Sequence, residues 1–220
     1  MNKVVAPSLL AANFANLLPS LQLCEEANLH SLHLDVMDGH FVPPISFGSQ
    51  MVAALRIKSS LFFDVHLMTY RLEEHIEDFF MAGADSLSFH YEATSHHHRI
   101  IEQIKEFGLK VGVALNPSSP LTLLSDILPY LDKVLIMSVN PGYGGQKFIE
   151  HSLTKIKNLA FFRQELGLNF LIEVDGGVNL QNAAALYKAG ADVLIAGNAL
   201  FSDSTNFIKN AAKFQEIFND

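Results

Sequence analysis

Eight times along this chain a short run rich in Val, Ile and Leu leads into a polar or glycine-rich turn, and helical periodicity fills the segments between. The runs are Val4–Ser8, Ser31–Met37, Leu61–Met68, Ser86–His90, Lys110–Asn116, Lys133–Val139, Asn169–Asp175 and Asp192–Gly197. Helical patterns cover Leu72–Met81, His96–Phe107, Leu121–Leu128, Phe148–Leu166 and Leu180–Lys188. Gly83, Gly108, Gly167 and Gly190 stand where such patterns stop, at the position that takes left-handed backbone to end a helix. Strands separated by helices pair in parallel, since an antiparallel return needs only a tight turn. Runs apolar on both faces belong to a sheet covered by helices.

Two architectures meet these conditions, an open doubly wound sheet and a closed barrel. Eight runs in 220 residues favour a single α/β domain spanning residues 1–220, a TIM (β/α)8 barrel shorter than the usual length of about 250. Pro7-Ser8-Leu9-Leu10-Ala11, after the first run, bears no relation to the glycine fingerprint of a dinucleotide fold. With 49% hydrophobic and 17% charged residues, the chain can fill a large core. A net charge of −8, without a basic run or face, argues against nucleic acid as a partner. The single cysteine, Cys24, excludes an internal disulfide framework and reads as a small buried hydrophobe. No basic-then-apolar leader and no apolar run near about 18 residues occurs, so a cytoplasmic protein without a membrane partner is expected.

In such barrels the functional site lies at the C-terminal strand ends. Ser8, His33, Asp35, Met37, His66, Met68, Met137 and Asp175 all fall there. His33 and Asp35 are two apart on one strand and project to the same side. His66 comes from the third strand and Asp175 from the seventh, on the far side of the ring. Two imidazoles and two carboxylates can hold one divalent metal, Zn2+ first, with Fe2+, Mn2+ or Co2+ also compatible. Carboxylates facing each other across a carbon suit inversion, one removing a proton while the other delivers one. A cation would stabilise the enediolate if that carbon lies beside a carbonyl. Asp64 and Glu173 lie one layer deeper on the same faces, either as supports for the ligands or as structural ion pairs. His40 and His90 lie near strand ends without a ligand at strand spacing. His96-His97-His98 is expected to be a solvated helix start.

Glycine clusters at the later strand ends, in Gly142-Tyr143-Gly144-Gly145, Gly176-Gly177 and Gly197-Asn198, form one rim where backbone N–H groups can approach phosphate oxygens. A phosphorylated small substrate is therefore expected over strands six to eight. The methionines read either as core filler or as a soft collar, and Phe41-Val42-Pro43-Pro44-Ile45 as a lid or a subunit contact.

The stretches Ala6–Leu10, His33–Pro43, Asp64–Met68, Met137–Gln146 and Glu173–Gly177 together resemble the ribulose-phosphate 3-epimerase family over nearly the whole chain. The resemblance implies interconversion of D-ribulose 5-phosphate and D-xylulose 5-phosphate by inversion at C3. It implies Asp35 and Asp175 as acid and base, and His33, Asp35, His66 and Asp175 as metal ligands. Ser8 and His66 would touch the phosphorylated ketose. Gly142, Tyr143, Gly144, Gly145, Gly176, Gly177, Gly197 and Asn198 would surround its phosphate, and Met37, Met68 and Met137 would line the site. Asn198, Ser118-Ser119, Tyr143 and Pro44 depart from the family's usual residues without touching the implied ligands. A ketohexose-6-phosphate epimerase acting on allulose 6-phosphate is the alternative. A metal-dependent hydrolase and a silent sugar-phosphate binder are more distant ones. Exposed apolar loops and many phenylalanines lead us to expect a homo-oligomer.

Overall fold

The computed structural model describes residues 3–219. Eight strands form one parallel sheet, β1 (Val4–Pro7), β2 (Ser31–Met37), β3 (Phe62–Met68), β4 (Ser86–His90), β5 (Lys110–Leu115), β6 (Lys133–Met137), β7 (Leu171–Asp175) and β8 (Val193–Ala196). Each pairs with the next in sequence from β2 to β8, and β8 pairs back onto β1. A bridge between Ser8 and His33 brings β1 to β2, so the sheet curls into a (β/α)8 barrel. Helices α1 (Leu18–Glu26), α2 (Ser49–Arg56), α3 (Leu72–Met81), α4 (His97–Glu106), α5 (His151–Glu165), α6 (Ala183–Ala189), α7 (Asn198–Phe201) and α8 (Phe207–Asn219) surround it. No helix among the described residues is long and apolar enough to cross a membrane.

Strand alternation divides the packing. Leu32, Leu34 and Val36 of β2, Phe63, Val65 and Leu67 of β3, and Ile172 and Val174 of β7 point outward into the main core beneath the helices. Inward positions are not uniform. Ala6, Ala114, Leu135, Met137, Val193 and Ile195 make an apolar cluster on one side of the barrel interior. On the other side, His33, Asp35, Asp64, His66, Ser86, Ser88, His90 and Lys133 are buried polar groups.

One expected helix is absent. Residues 121–128 form 3-10 turns at Leu121–Leu124 and Leu128–Tyr130 instead. Pro120 precedes the first turn, and Pro129, lying inside the second, has no N–H for an α-helical bond. Other differences are of a residue or a few at element ends, such as α6 starting at Ala183 rather than Leu180. Cys24 is buried, and burial pushes its thiol up to about 12, as a packing residue's would be.

The barrel floor is held by a device used three times. Asp85, Asp132 and Asp192 each stand just before an even-numbered strand and accept the N–H of the preceding strand's Phe63, Val111 or Ile172. Each also pairs with a cation, Arg56, Lys110 or Arg163 respectively. These clasps are not equivalent, because the Lys110 side chain is 64% exposed and that of Arg163 only 16%. Asp192→Ala is expected to cost about 2–4 kcal/mol, since it strands a buried N–H and a shielded guanidinium. Asp132→Ala also strands the Val111 N–H but loses only an exposed ion pair, and is expected to cost less, about 1–2 kcal/mol. Urea unfolding of the two variants checks the order.

Candidate active site and metal centre

The register of β2 on β3 sets His33 beside Asp64, Asp35 beside His66 and Met37 beside Met68. Strand β7, on the far side of the ring, delivers Asp175. One donor atom from each of His33, Asp35, His66 and Asp175 lies within 4.8 Å of the others. This is the one such cluster of metal-ligating side chains among the described residues. His97, from the histidine tract, instead stacks on Tyr91 at 3.7 Å and bonds its carbonyl oxygen through Nε2.

Asp35 is the hub. Its Oδ2 accepts a 2.6 Å hydrogen bond from Ser8 Oγ, and its Oδ1 lies 3.0 Å from His66 Nδ1 and 3.3 Å from His33 Nε2. Ser8 is fixed in turn because its Oγ caps the 3-10 turn that follows, accepting from Leu10 N. Burial alone would raise the Asp35 carboxyl, but the neighbouring His33, first by its charge, overcomes it and holds the group well below the carboxylate range. Asp175 goes the other way. Burial, and then the charge of Asp35, push it up to about 7. Two facing carboxylates thus differ in their hold on a proton, with Asp35 the stronger acid and Asp175 the readier to keep its proton.

The imidazoles are held from behind by different partners. His33 Nδ1 sits 2.9 Å from Asp64 Oδ2. Burial works against the imidazolium, yet Asp35 and Asp64 outweigh it and raise His33 well above its usual value. His66 Nε2 lies 3.0 Å from His90 Nε2, and burial brings His66 down to about 4, a neutral ring. Beneath Asp64 lies Lys133, fully enclosed, hydrogen-bonded to Asp64 and to Ser86 Oγ at 2.9 Å and 3.3 Å from Glu173 Oε2. Gly112 makes room for it, since a Cβ there would lie 2.7 Å from Lys133 Cγ.

A divalent cation fits this set by an internal test. His33 Nε2 is buried and has no hydrogen-bond partner, although it faces the other donors. An orphaned ring nitrogen among two carboxylates and a second imidazole is an arrangement that a cation completes.

Above these groups opens a cavity of about 320 Å³. Ser8, Asp35, Asp175, Met37, Met68 and Met137 line its inner end, while His33 and His66 lie buried behind Asp35. Met37 and Met68 pack with Val42, so part of the apolar loop after β2 folds down onto the collar. Asp38 shapes that loop by accepting from the N–H groups of His40, Phe41 and Tyr70.

The outer wall gathers all three glycine segments: Gly142, Tyr143, Gly144 and Gly145 after β6, Gly176 and Gly177 after β7, and Gly197 and Asn198 after β8. Gly176 and Gly177 have φ of 110° and 64°. A Cβ on Gly176 would collide with Val139, and one on Gly177 would come within 2.6 Å of Phe148 N. Only glycine lets the β6 and β7 loops lie this close.

Sequence reasoning passed over Lys133, which looks like an ordinary strand-start lysine, and Ser138, whose Oγ lies 2.8 and 2.7 Å from the carbonyl oxygens of Asp175 and Gly176 and shares its one proton between them. An inward strand position for a lysine was the available signal for the first. The second had none beyond its place at a strand end.

Comparison with known proteins agrees with this picture. The family model described as the Ribulose-phosphate 3 epimerase family matches residues 4–201. The chain is 48% identical over 198 residues to the ribulose-phosphate 3-epimerase of Treponema pallidum, covering 90% of this chain and 91% of that protein. It is 48% identical over 201 residues to that of Bacillus subtilis, covering 91% and 93%. In shape it is similar to 3-keto-L-gulonate-6-phosphate decarboxylase from Vibrio cholerae, with a TM-score of 0.71 at 14% identity over 100% of this chain and 98% of that one, a likeness of fold alone.

Lys133 gives the prediction of this site. Lys133→Met leaves Asp64 and Glu173 buried without their cation and is expected to destabilise the protein by about 3–5 kcal/mol. Adding Asp64→Asn to that variant removes the stranded charge and is expected to recover part of the loss, as compared by denaturant unfolding.

Proposed function

This chain belongs to the ribulose-phosphate 3-epimerase family, and from that premise we propose that it interconverts D-ribulose 5-phosphate and D-xylulose 5-phosphate by inverting C3. The observation that carries the reading is the convergence of donor atoms from His33, Asp35, His66 and Asp175 at the inner end of a glycine-rimmed cavity.

Inversion requires a proton to leave one face of C3 and another to arrive on the opposite face. Asp35 and Asp175 come from β2 and β7, on different sides of the barrel, and begin with one tightly held and one loosely held carboxylate. The ionised member removes the C3 proton and the protonated member delivers its own to the other face; the reverse reaction exchanges the roles. Ser8 fixes the angle of Asp35 by its hydrogen bond to Oδ2. His33 would hold one divalent cation through Nε2 and His66 through Nδ1, with Asp35 and Asp175 completing the set. Zinc suits these donors first, with iron(II), manganese(II) and cobalt(II) also compatible. A bound cation would supply positive charge to stabilise the negative charge that develops on the substrate's oxygens. Backbone around Gly142–Gly145, Gly176–Gly177 and Gly197–Asn198 would take the phosphate. The methionine collar and the loop at Val42 would keep water from the carbanionic carbon. The proposal takes the enzyme to be cytoplasmic and homo-oligomeric, with the single domain 1–220 carrying the whole site.

Purified protein is expected to epimerise D-ribulose 5-phosphate, to lose that activity on chelation and to regain it with metal. Turnover of allulose 6-phosphate without the pentose would move the reading to the hexose. Asp35→Asn and Asp175→Asn are each expected to lower kcat by about 10²–10⁴-fold while the circular dichroism spectrum is unchanged.

Metal affinity is expected to depend on pH with a defined sign. Asp35 and Asp64, against burial, keep a proton on the His33 ring above its usual range in the metal-free protein. That proton must leave before Nε2 can ligate. Affinity therefore rises with pH, and zinc added in weak buffer at acid pH releases protons. Calorimetry in buffers of different ionisation enthalpy counts them.

A further inference from the structure

We propose that His90 and Glu92 are positioning residues that fix the tautomer of His66, leaving its Nδ1 lone pair bare and aimed into the cluster with His33, Asp35 and Asp175. The inference rests on the reading that His66 ligates a cation through Nδ1.

The argument begins at Glu92, at the mouth of β4. Its Oε1 accepts from Asn116 N at 3.0 Å and from Ser119 Oγ. Its Oε2 lies 3.2 Å from His90 Nδ1. The loop that supplies the first two donors is itself pinned, because Lys155 Nζ donates to the carbonyls of Asn116, Pro117 and Ser119 at 3.0, 2.7 and 2.8 Å. A carboxylate surrounded by three donors can only accept, so His90 Nδ1 must carry its proton. A neutral His90 then has only a lone pair at Nε2. That lone pair lies 3.0 Å from His66 Nε2. The contact is a hydrogen bond only if His66 Nε2 is the protonated nitrogen, which leaves His66 Nδ1 without a proton.

Asp35 pulls the other way. Its Oδ1 is 3.0 Å from His66 Nδ1 and would favour a proton there. Two acceptors, Asp35 on one side and His90 on the other, compete for the single proton of His66, and Glu92 decides between them by fixing the direction of the chain. A cation at Nδ1 takes the place of that proton and satisfies both sides. His33 is oriented by a carboxylate directly, through Asp64; His66 is oriented by a carboxylate through an intervening ring. Phe41 covers that ring with its centroid 4.6 Å away, which shields the relay from water.

Glu92→Gln tests the direction of the relay without changing its shape. Its lone side-chain oxygen stays with the Asn116 N–H and the Ser119 hydroxyl, and its amide NH2 faces His90 Nδ1. His90 must then accept at Nδ1 and donate from Nε2, which forces the His66 proton onto Nδ1, against the cation. We expect NMR of isotopically labelled imidazole nitrogens to show His66 protonated at Nε2 in the wild-type protein, metal-free and zinc-loaded, and at Nδ1 in metal-free Glu92→Gln. Zinc affinity, from competition with a chromophoric chelator, is expected to fall by about 10–100-fold in that variant. The thermal midpoint of the metal-free protein is expected to stay near wild type. His90→Leu is expected to lose zinc affinity similarly, and His90→Gln, whose carbonyl can still accept from His66 Nε2, to restore most of it.

An unchanged His66 tautomer in Glu92→Gln, with zinc affinity within about twofold of wild type, would overturn the relay. So would equal losses in His90→Leu and His90→Gln, which would mark a packing role. A wild-type protein that takes up no zinc or other divalent cation would overturn the metal reading instead, and the tautomers of the metal-free protein would still decide the relay.

Discussion

Everything at this site depends on how β2 lies against β3. Their register pairs His33 with Asp64, Asp35 with His66 and Met37 with Met68. Side chains alternate across a strand, so a slip of one residue would turn every one of these groups toward the helices and bring Leu32, Leu34, Val65 and Leu67 into the barrel. The apolar outer face prevents this. Those leucines and valines belong to a continuous core that reaches around the barrel beneath the helices, and burying each is worth roughly 1.5–3 kcal/mol. The hydrophobic side of each strand thus determines where its polar side points.

The interior that results is chemically lopsided. One side is filled by Ala6, Ala114, Leu135, Val193 and Ile195, and the other stacks charges in layers from the floor upward. Lys133 lies between Asp64 and Glu173, Asp64 supports His33, and His33 faces Asp35. Burial of ion pairs is poor stabilisation, because the cost of leaving water rivals the attraction gained. The arrangement makes better sense as placement: each charge is oriented by the one below it. Lys133 also cannot neutralise both of its carboxylates fully. Burial, followed by the charge of Asp64, pushes Glu173 up to about 7 even with the lysine beside it.

The eightfold repeat, the parallel order and the positions of His33, Asp35, His66 and Asp175 were legible in the sequence because each follows from period-2 alternation and strand order alone. The glycine rim was legible for the same reason, as three loops after consecutive strands. What was not legible depends on distances around the ring. Lys133 and Asp64 are far apart in the chain and meet only because the barrel closes and Gly112 leaves space between β4 and β6. His90 sits at a strand end with no ligand at strand spacing, so its partner His66, on the adjacent strand, could not be read from local pattern. The helix expected over residues 121–128 failed for a local reason, since apolar spacing there was right and the prolines overrode it.

The two histidines show why these long-range contacts matter for chemistry and not only for packing. Both would offer a lone pair to the same point, but through different nitrogens, Nε2 of His33 and Nδ1 of His66. An imidazole's free nitrogen is decided by what holds the other one. Asp64 occupies Nδ1 of His33 and so leaves the buried Nε2 without a partner. His90 occupies Nε2 of His66 and so leaves Nδ1 for the cluster. Had the two rings been held alike, one of them would point its proton at the cation site. Strands β2 and β3 supply the rings, but the choice of nitrogen comes from Asp64 beneath and from β4 alongside. The donor set is thus a property of the closed barrel rather than of the two motifs that contain its histidines.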